Sequence, residues 1–153
     1  MLEITIASAG EIEIVQGLWQ EYWASFGLDP EFQNFGEELR ALPGPYALPR
    51  GRLLLARWEG EPAGTAALRP ISDDACEAKR LYVRPLARGK GLGRILMLRL
   101  IDEARSAGYR ELYGDTLTSM KQALEMYKRM GFTEVGPYSA NPTPGAIFIR
   151  LTL

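Results

Sequence analysis

The chain of 153 residues contains no histidine and a single cysteine, Cys76. Without histidine there is no Cys/His zinc site and no Ser-His-Asp or Cys-His relay. A lone cysteine excludes an internal disulfide. No apolar run reaches the ~18 residues of a membrane span, and the opening "MLEITIASAG" lacks the basic-then-apolar layout of a secretory signal. The expected location is therefore the cytoplasm, with no membrane partner. Chemistry has to come from carboxylates, tyrosine, lysine, the thiol, backbone amides or a bound cofactor, and no metal is expected. The length is that of one domain, residues 1–153.

Charge of either sign is nearly balanced overall, at −1, but unevenly placed. Between Lys79 and Arg110 there are nine lysines and arginines against two acids, Asp102 and Glu103, a local +7. Nucleic-acid binders usually carry a basic face on a basic total. This pattern suits a compact anionic ligand better, and no nucleic-acid partner is expected.

The patterning predicts a mixed α/β sheet in the order β-α-α-β-β-β-α-β-α-β-β. "ITIA" (4–7) reads as a strand, and "SAGE" (8–11) as a capping box. Ile12, Val15, Leu18, Trp19, Tyr22 and Phe26 then recur at helical spacing. "PEFQNFGEELRAL" (30–42) predicts a second helix, and "PGPYALPRG" a loop. "RLLLARW" and "AGTAALRPI" flank "EGEP" as a hairpin, and "ACEAKRLYV" (75–83) is a further strand. "LGRILMLRLIDEARSAG" (92–108) is a long helix and "YRELYGDT" the next strand. "SMKQ" (119–122) predicts another capping box, opening a helix that Gly131 stops. "FTEVGPY" and "AIFIRLTL" complete the sheet.

"PLARGKGLGR" (85–94) sets three glycines and three cations between Arg88 and Arg94, at the entrance to the long helix. A helix N-terminus presents unpaired N–H groups and the positive end of its dipole, which favours phosphate. Gly89, Gly91 and Gly93 let amides approach a ligand; Arg88, Lys90 and Arg94 add charge. A P-loop needs Ser or Thr after its Gly-Lys, where this chain has Gly91. The dinucleotide fingerprint needs two residues between its second and third glycines, and "GKGLG" supplies one.

"RGKGLG" (88–93) fits Arg/Gln-x-x-Gly-x-Gly/Ala, and "KRLYVRPLARGKGLGRILM" resembles the strand–loop–helix core of the GNAT superfamily of N-acetyltransferases almost throughout. "ALEMYKRMGF" (123–132) is similar to that family's next motif, and "PYSANPTPGAIFIRL" resembles a subgroup of small members with unsettled substrate. The resemblance implies the GNAT fold, β1-α1-α2-β2-β3-β4-α3-β5-α4-β6-β7, with the sheet splayed between β4 and β5. It implies acetyl-CoA as cosubstrate, with Leu81, Tyr82 and Val83 along the pantetheine arm. Arg88, Gly89, Lys90, Gly91, Leu92, Gly93 and Arg94 match the diphosphate-binding turn, and Tyr127 the tyrosine beside the thioester sulfur. The family often has asparagine seven residues before that tyrosine; this chain has Met120. Members often pair through their last strands, so a homodimer is a possible assembly.

Acetyl transfer to a primary amine by direct attack needs a polarised carbonyl, a base, and a proton for the thiolate. An N–H near Leu81 suits the oxyanion, Tyr127 the proton donor, and Glu77 or Asp115 the base. Alternation along β4 places Glu77 near the acceptor side. Cys76 reads as a small buried residue. Trp19, Tyr22, Trp23, Phe26 and Phe32 gather over the acceptor region by resemblance. Eight acids against one arginine in residues 1–40 suggest a cationic amine. A non-catalytic acyl-CoA-binding module of the same fold is the alternative.

Overall fold

A computed structural model describes residues 1–27, 35–139 and 145–153. The elements are β1 (Leu2–Ile6), α1 (Ile12–Ala24), α2 (Phe35–Arg40), β2 (Arg52–Trp58), β3 (Glu61–Pro70) and β4 (Ala75–Val83). Then come α3 (Leu92–Ser106), β5 (Glu111–Leu117), α4 (Lys121–Arg129), β6 (Thr133–Val135) and β7 (Ala146–Thr152). The strands form one mixed sheet in the order β1-β2-β3-β4-β5-β7-β6. β1 to β4 are successively antiparallel, β4 and β5 are parallel, and β7 is antiparallel to both β5 and β6. The predicted element order and α/β class hold. The start of the predicted second helix, with Phe32, and the "ANPTP" stretch lie outside the described residues.

Helices cover both faces because β2 is apolar on both. Leu54 and Ala56 join the core under α3, while Leu53 and Leu55 join the core under α1. On α3 the stripe Leu96, Met97, Leu100, Ile101 and Ala104 is buried, as helical spacing dictates. Val15, Leu18, Trp19 and Trp23 do the same on α1. Each fully buried leucine contributes about 1.5–3 kcal/mol. These two layers fix the sheet between them and so fix the edges of whatever opens within it.

The first predicted capping box forms, and in it the Glu11 carboxylate accepts from the amide and hydroxyl of Ser8, both at 3.0 Å. The second does not form. Helix α4 begins one residue later than "SMKQ" implies, with Met120 at the N-cap position and no side-chain cap. β6 is also shorter than "FTEVGPY" suggests. Tyr109, ahead of β5, is buried and donates its hydroxyl to the Arg50 carbonyl at 2.8 Å.

Candidate active site

The site exists because β4 and β5 stop pairing. Their parallel register runs only from Ala75 opposite Glu111 to Glu77 opposite Tyr113. Past that point β5 continues to pair with β7, through Leu117 opposite Ala146, while β4 stays on β3. Backbone groups on the facing edges have no ladder partner across the gap, a costly state unless something else binds them. A cavity fills this space. Ala78 to Leu81 of β4 and Gly114 to Leu117 of β5 line it, with Tyr22, Trp23 and Phe26 from the α1 side and Met120 and Tyr127 from the α4 side.

A bulge on β4 shapes the cavity wall. Thr65 opposes Tyr82 and Ala67 opposes Lys79, so three steps of β4 match two of β3. Arg80 takes up the extra residue at φ +58°, a conformation rarely adopted by a non-glycine residue. The bulge breaks strict alternation. Ala78 and Leu81 both pack toward α3, while Arg80 and Tyr82 turn toward α1. The guanidinium of Arg80 lies 5.1, 5.2 and 5.7 Å from the ring centroids of Trp23, Phe35 and Trp19. Its Nη2 donates to Glu38 Oε2 at 2.6 Å, and its Nε is buried without a hydrogen-bond partner among the described residues. Burial works to raise the Glu38 carboxyl, but the Arg80 charge and the hydrogen bonds from Tyr46 and Arg80 outweigh it and hold it below the usual carboxylate range.

The glycine-rich turn follows β4 as expected. Gly91 sits at φ +76° as the residue before α3, where nothing lies within 4 Å of a hypothetical Cβ, so glycine is required there by conformation rather than by space. The first helical bond runs from the Ile95 amide to the Gly91 carbonyl at 3.1 Å, which leaves the amides of Leu92, Gly93 and Arg94 ahead of it. Arg88, Lys90 and Arg94 are exposed and, among the described residues, form no ion pair. Arg88 Nε donates to the Val83 carbonyl at 3.0 Å, and the Lys90 ammonium lies 5.7 Å from the Trp58 ring centroid. The Leu92 side chain is buried with Ala63 and Ala87, and Tyr82 donates its hydroxyl to Glu21. These two residues offer the cleft main chain rather than side chain.

The predicted chemical groups separate into two sets. Tyr127 is on the cavity wall, 8% exposed, and burial above all, then Tyr22 and Asp115, pushes its phenol far up. Asp115 is also on that wall. Glu77 is not among the residues lining the cavity. It is 3% exposed, accepts from Arg69 Nε, and accepts the Tyr138 hydroxyl at 2.8 Å. Its neighbours Cys76 and Ala78 pack toward α3, so Glu77 turns to the α1 face of the sheet, where its partner Tyr138 also lies within electrostatic reach of Asp115. Cys76 is fully buried; desolvation first, then Glu77, pushes its thiol up to about 12, so it is not a ready nucleophile. Met120 lines the cavity where asparagine is frequent in the resembled family, and its sulfur accepts weakly from the Thr116 hydroxyl at 3.9 Å.

Three of the early acids are already neutralised. Glu11 pairs with Arg57 at 2.6 Å, Glu21 with Arg84 at 2.7 Å and Glu38 with Arg80. These pairs reduce the negative charge that the early segment offers to an acceptor. Lys79 and Arg80 are wall residues that sequence reasoning did not assign. No residue type marks the bulge that presents them.

A mixed sheet that parts between two parallel strands, beside a glycine-rich turn into a helix, defines an acyl-CoA-dependent N-acetyltransferase fold. Comparison with known proteins agrees. The profile of the Acetyltransferase (GNAT) family matches residues 14–132. The chain is 40% identical over 138 residues to an uncharacterised N-acetyltransferase of Schizosaccharomyces pombe, covering 89% of this chain and 85% of that one. It is 31% identical over 117 residues to an uncharacterised N-acetyltransferase of Escherichia coli, covering 73% and 70%. The structure of an acetyltransferase from Salmonella typhimurium with its cofactor acetyl-CoA superimposes with a TM-score of 0.77 at 20% identity, over 99% of this chain and 94% of that one. The chain belongs to the GNAT family and is an acyltransferase. No helix among the described residues is long and apolar enough to cross a membrane.

Proposed function

We propose that this enzyme moves the acetyl group of acetyl-CoA to a primary amine by direct attack of the amine on the thioester. The observation that carries the reading is the β4–β5 cleft, with Leu81 and Tyr127 on one wall system and the Gly89–Arg94 turn just beyond β4. Three exposed cations without carboxylate partners fit a diphosphate, which relieves their mutual repulsion and meets the amides ahead of Ile95. Acetyl-CoA, when bound, supplies an acyl carbon already activated as a thioester.

The chain's own residues do the rest. Arg88, Lys90, Arg94 and the turn amides hold the diphosphate. The main chain of Leu81, Tyr82 and Val83 takes the pantetheine arm along the edge that β5 leaves open. An N–H near Leu81 stabilises the developing oxyanion, an effect worth about 3 kcal/mol per well-placed donor. Asp115, directly or through water, accepts the proton that the amine loses on forming the amide. Tyr127 gives its hydroxyl proton to the departing sulfur and regains one from water. Burial raises its phenol, which keeps it protonated at neutral pH; the same dry surroundings raise the proton affinity of a thiolate, so the transfer is not opposed by the full shift.

The test is free-thiol release over a panel of amines, comparing the native chain with Tyr127→Phe, alongside calorimetric titration with CoA. The expected result is turnover that falls by about 10²–10⁴ in the variant, with CoA affinity unchanged. Tight CoA binding with no turnover on any amine would establish the non-catalytic module instead. A protein that ignores CoA overturns the role given to the turn.

A further inference from the structure

Two ion pairs lie on the β4 side of the cleft. Arg80 is matched by Glu38 and, further along β4, Glu77 by Arg69. Among the described residues, the charged ones that line the cavity are Lys79, Arg80 and Asp115. Among the described residues Lys79 is in no ion pair. It also occupies a particular place. Glu77 opposite Tyr113 is the last register pair of β4 and β5. Two residues on, Lys79 and Asp115 hold corresponding positions on the parted strands, a cation on one wall and a carboxylate on the other.

We propose that the acceptor is an α-amino acid whose carboxylate is taken by Lys79 and whose amine is delivered toward Asp115. The proposal rests on the transfer reading above and names its substrate class. An amine and a carboxylate separated by one carbon bridge opposite charges on two facing strands. A polyamine meets the reverse: its second ammonium is repelled by Lys79. A peptide N-terminus or a protein lysine offers a neutral amide where Lys79 has a charge to satisfy. The rings of Tyr22 and Phe26 and the side chain of Leu117 on the same cavity suit an apolar amino-acid side chain.

Free-thiol release from acetyl-CoA by the full chain is measured on matched sets: each common α-amino acid, its carboxamide and its decarboxylated amine, with polyamines alongside. The expected result is a preference of about tenfold or more in kcat/KM for the acid over its carboxamide. Lys79→Met raises the acceptor KM by a similar factor and leaves the acetyl-CoA KM in place; Lys79→Arg restores it. Equal use of carboxamides or decarboxylated amines, or an unchanged acceptor KM in Lys79→Met, overturns the proposal while leaving amine acetylation intact. If nothing is acetylated, the transfer reading fails, and calorimetric titration of the amino acids into CoA-loaded protein reads recognition alone. Binding that Lys79→Met abolishes then supports the carboxylate site, and absence of binding overturns it.

Discussion

The guanidinium of Arg80 meets the carboxylate of Glu38 at 2.6 Å inside a box made by the rings of Trp19, Trp23 and Phe35. Their side chains are 7% and 15% exposed. The pair ties α2 to the residue that makes the β4 bulge, and so ties the acceptor side of the cleft to the strand that carries Leu81. Removing one partner leaves a buried charge uncompensated. Glu38→Ala is expected to cost about 3–5 kcal/mol, read as a lower denaturation midpoint with an unchanged slope. Adding Arg80→Met to it recovers part of the loss, because no charge is then stranded.

Acid should act through the same carboxyl. The Glu38 carboxyl is held below its ordinary value in the folded chain, so the unfolded chain binds the extra proton first as pH falls. Its stabilising contribution is complete above the unfolded value of about 4.3 and disappears as pH drops through the lower folded value. Urea denaturation at neutral pH and near pH 3 should show the gap between native and Glu38→Gln narrowing at the lower pH. Glu11 and Glu103, also held low, act equally in both proteins and form the common background.

Glu77 and Asp115 should trade places in two assays. Glu77→Gln weakens the contacts with Arg69 and Tyr138 and is expected to lower stability by about 1–3 kcal/mol, with a smaller effect on turnover. Asp115→Asn should lower turnover far more than it lowers the denaturation midpoint. Equal kinetic losses in the two variants would contradict the separation of a cavity-wall carboxylate from a structural one.

Two glycines of the same turn should answer differently to alanine. Gly91→Ala imposes the left-handed conformation on a residue with a side chain, at about 1–2 kcal/mol. Gly93 lies in the first turn of α3 without a positive φ, and an added Cβ would be 3.9 Å from Val83 Cγ2, an ordinary contact. Gly93→Ala should gain up to about 1 kcal/mol of helix stability yet weaken CoA binding, since the new methyl stands beside the amides that face the ligand. Calorimetry and denaturation on the two variants separate conformation from ligand approach.

Much of this was legible in the order of residues. β2 and β4 begin and end where the apolar runs of "RLLLARW" and "ACEAKRLYV" do. The turn into α3 is written in its glycines. Arg80 was not legible: a bulge made by a non-glycine residue leaves no mark in "AKRLYV". "SMKQ" has the composition of a capping box, but local composition competes with tertiary packing, and Met120 takes the cap position while lining the cavity. A count of acids in residues 1–40 also does not register partners that arrive from far along the chain, as Arg57, Arg80 and Arg84 do.

β7 is an interior strand of the sheet, wedged between β5 and β6, and among the described residues β5 has no other strand neighbour along the stretch from Gly114 to Leu117. During synthesis the wall bearing Asp115 is therefore unsupported until residues 146–152 have left the ribosome and threaded into place. The glycine-rich turn into α3 and the strand before it are complete some fifty residues earlier. A nascent chain thus has the turn proposed to hold the diphosphate before it has the second wall of the cleft, and a product truncated before Ala146 would retain the former while lacking support for the latter.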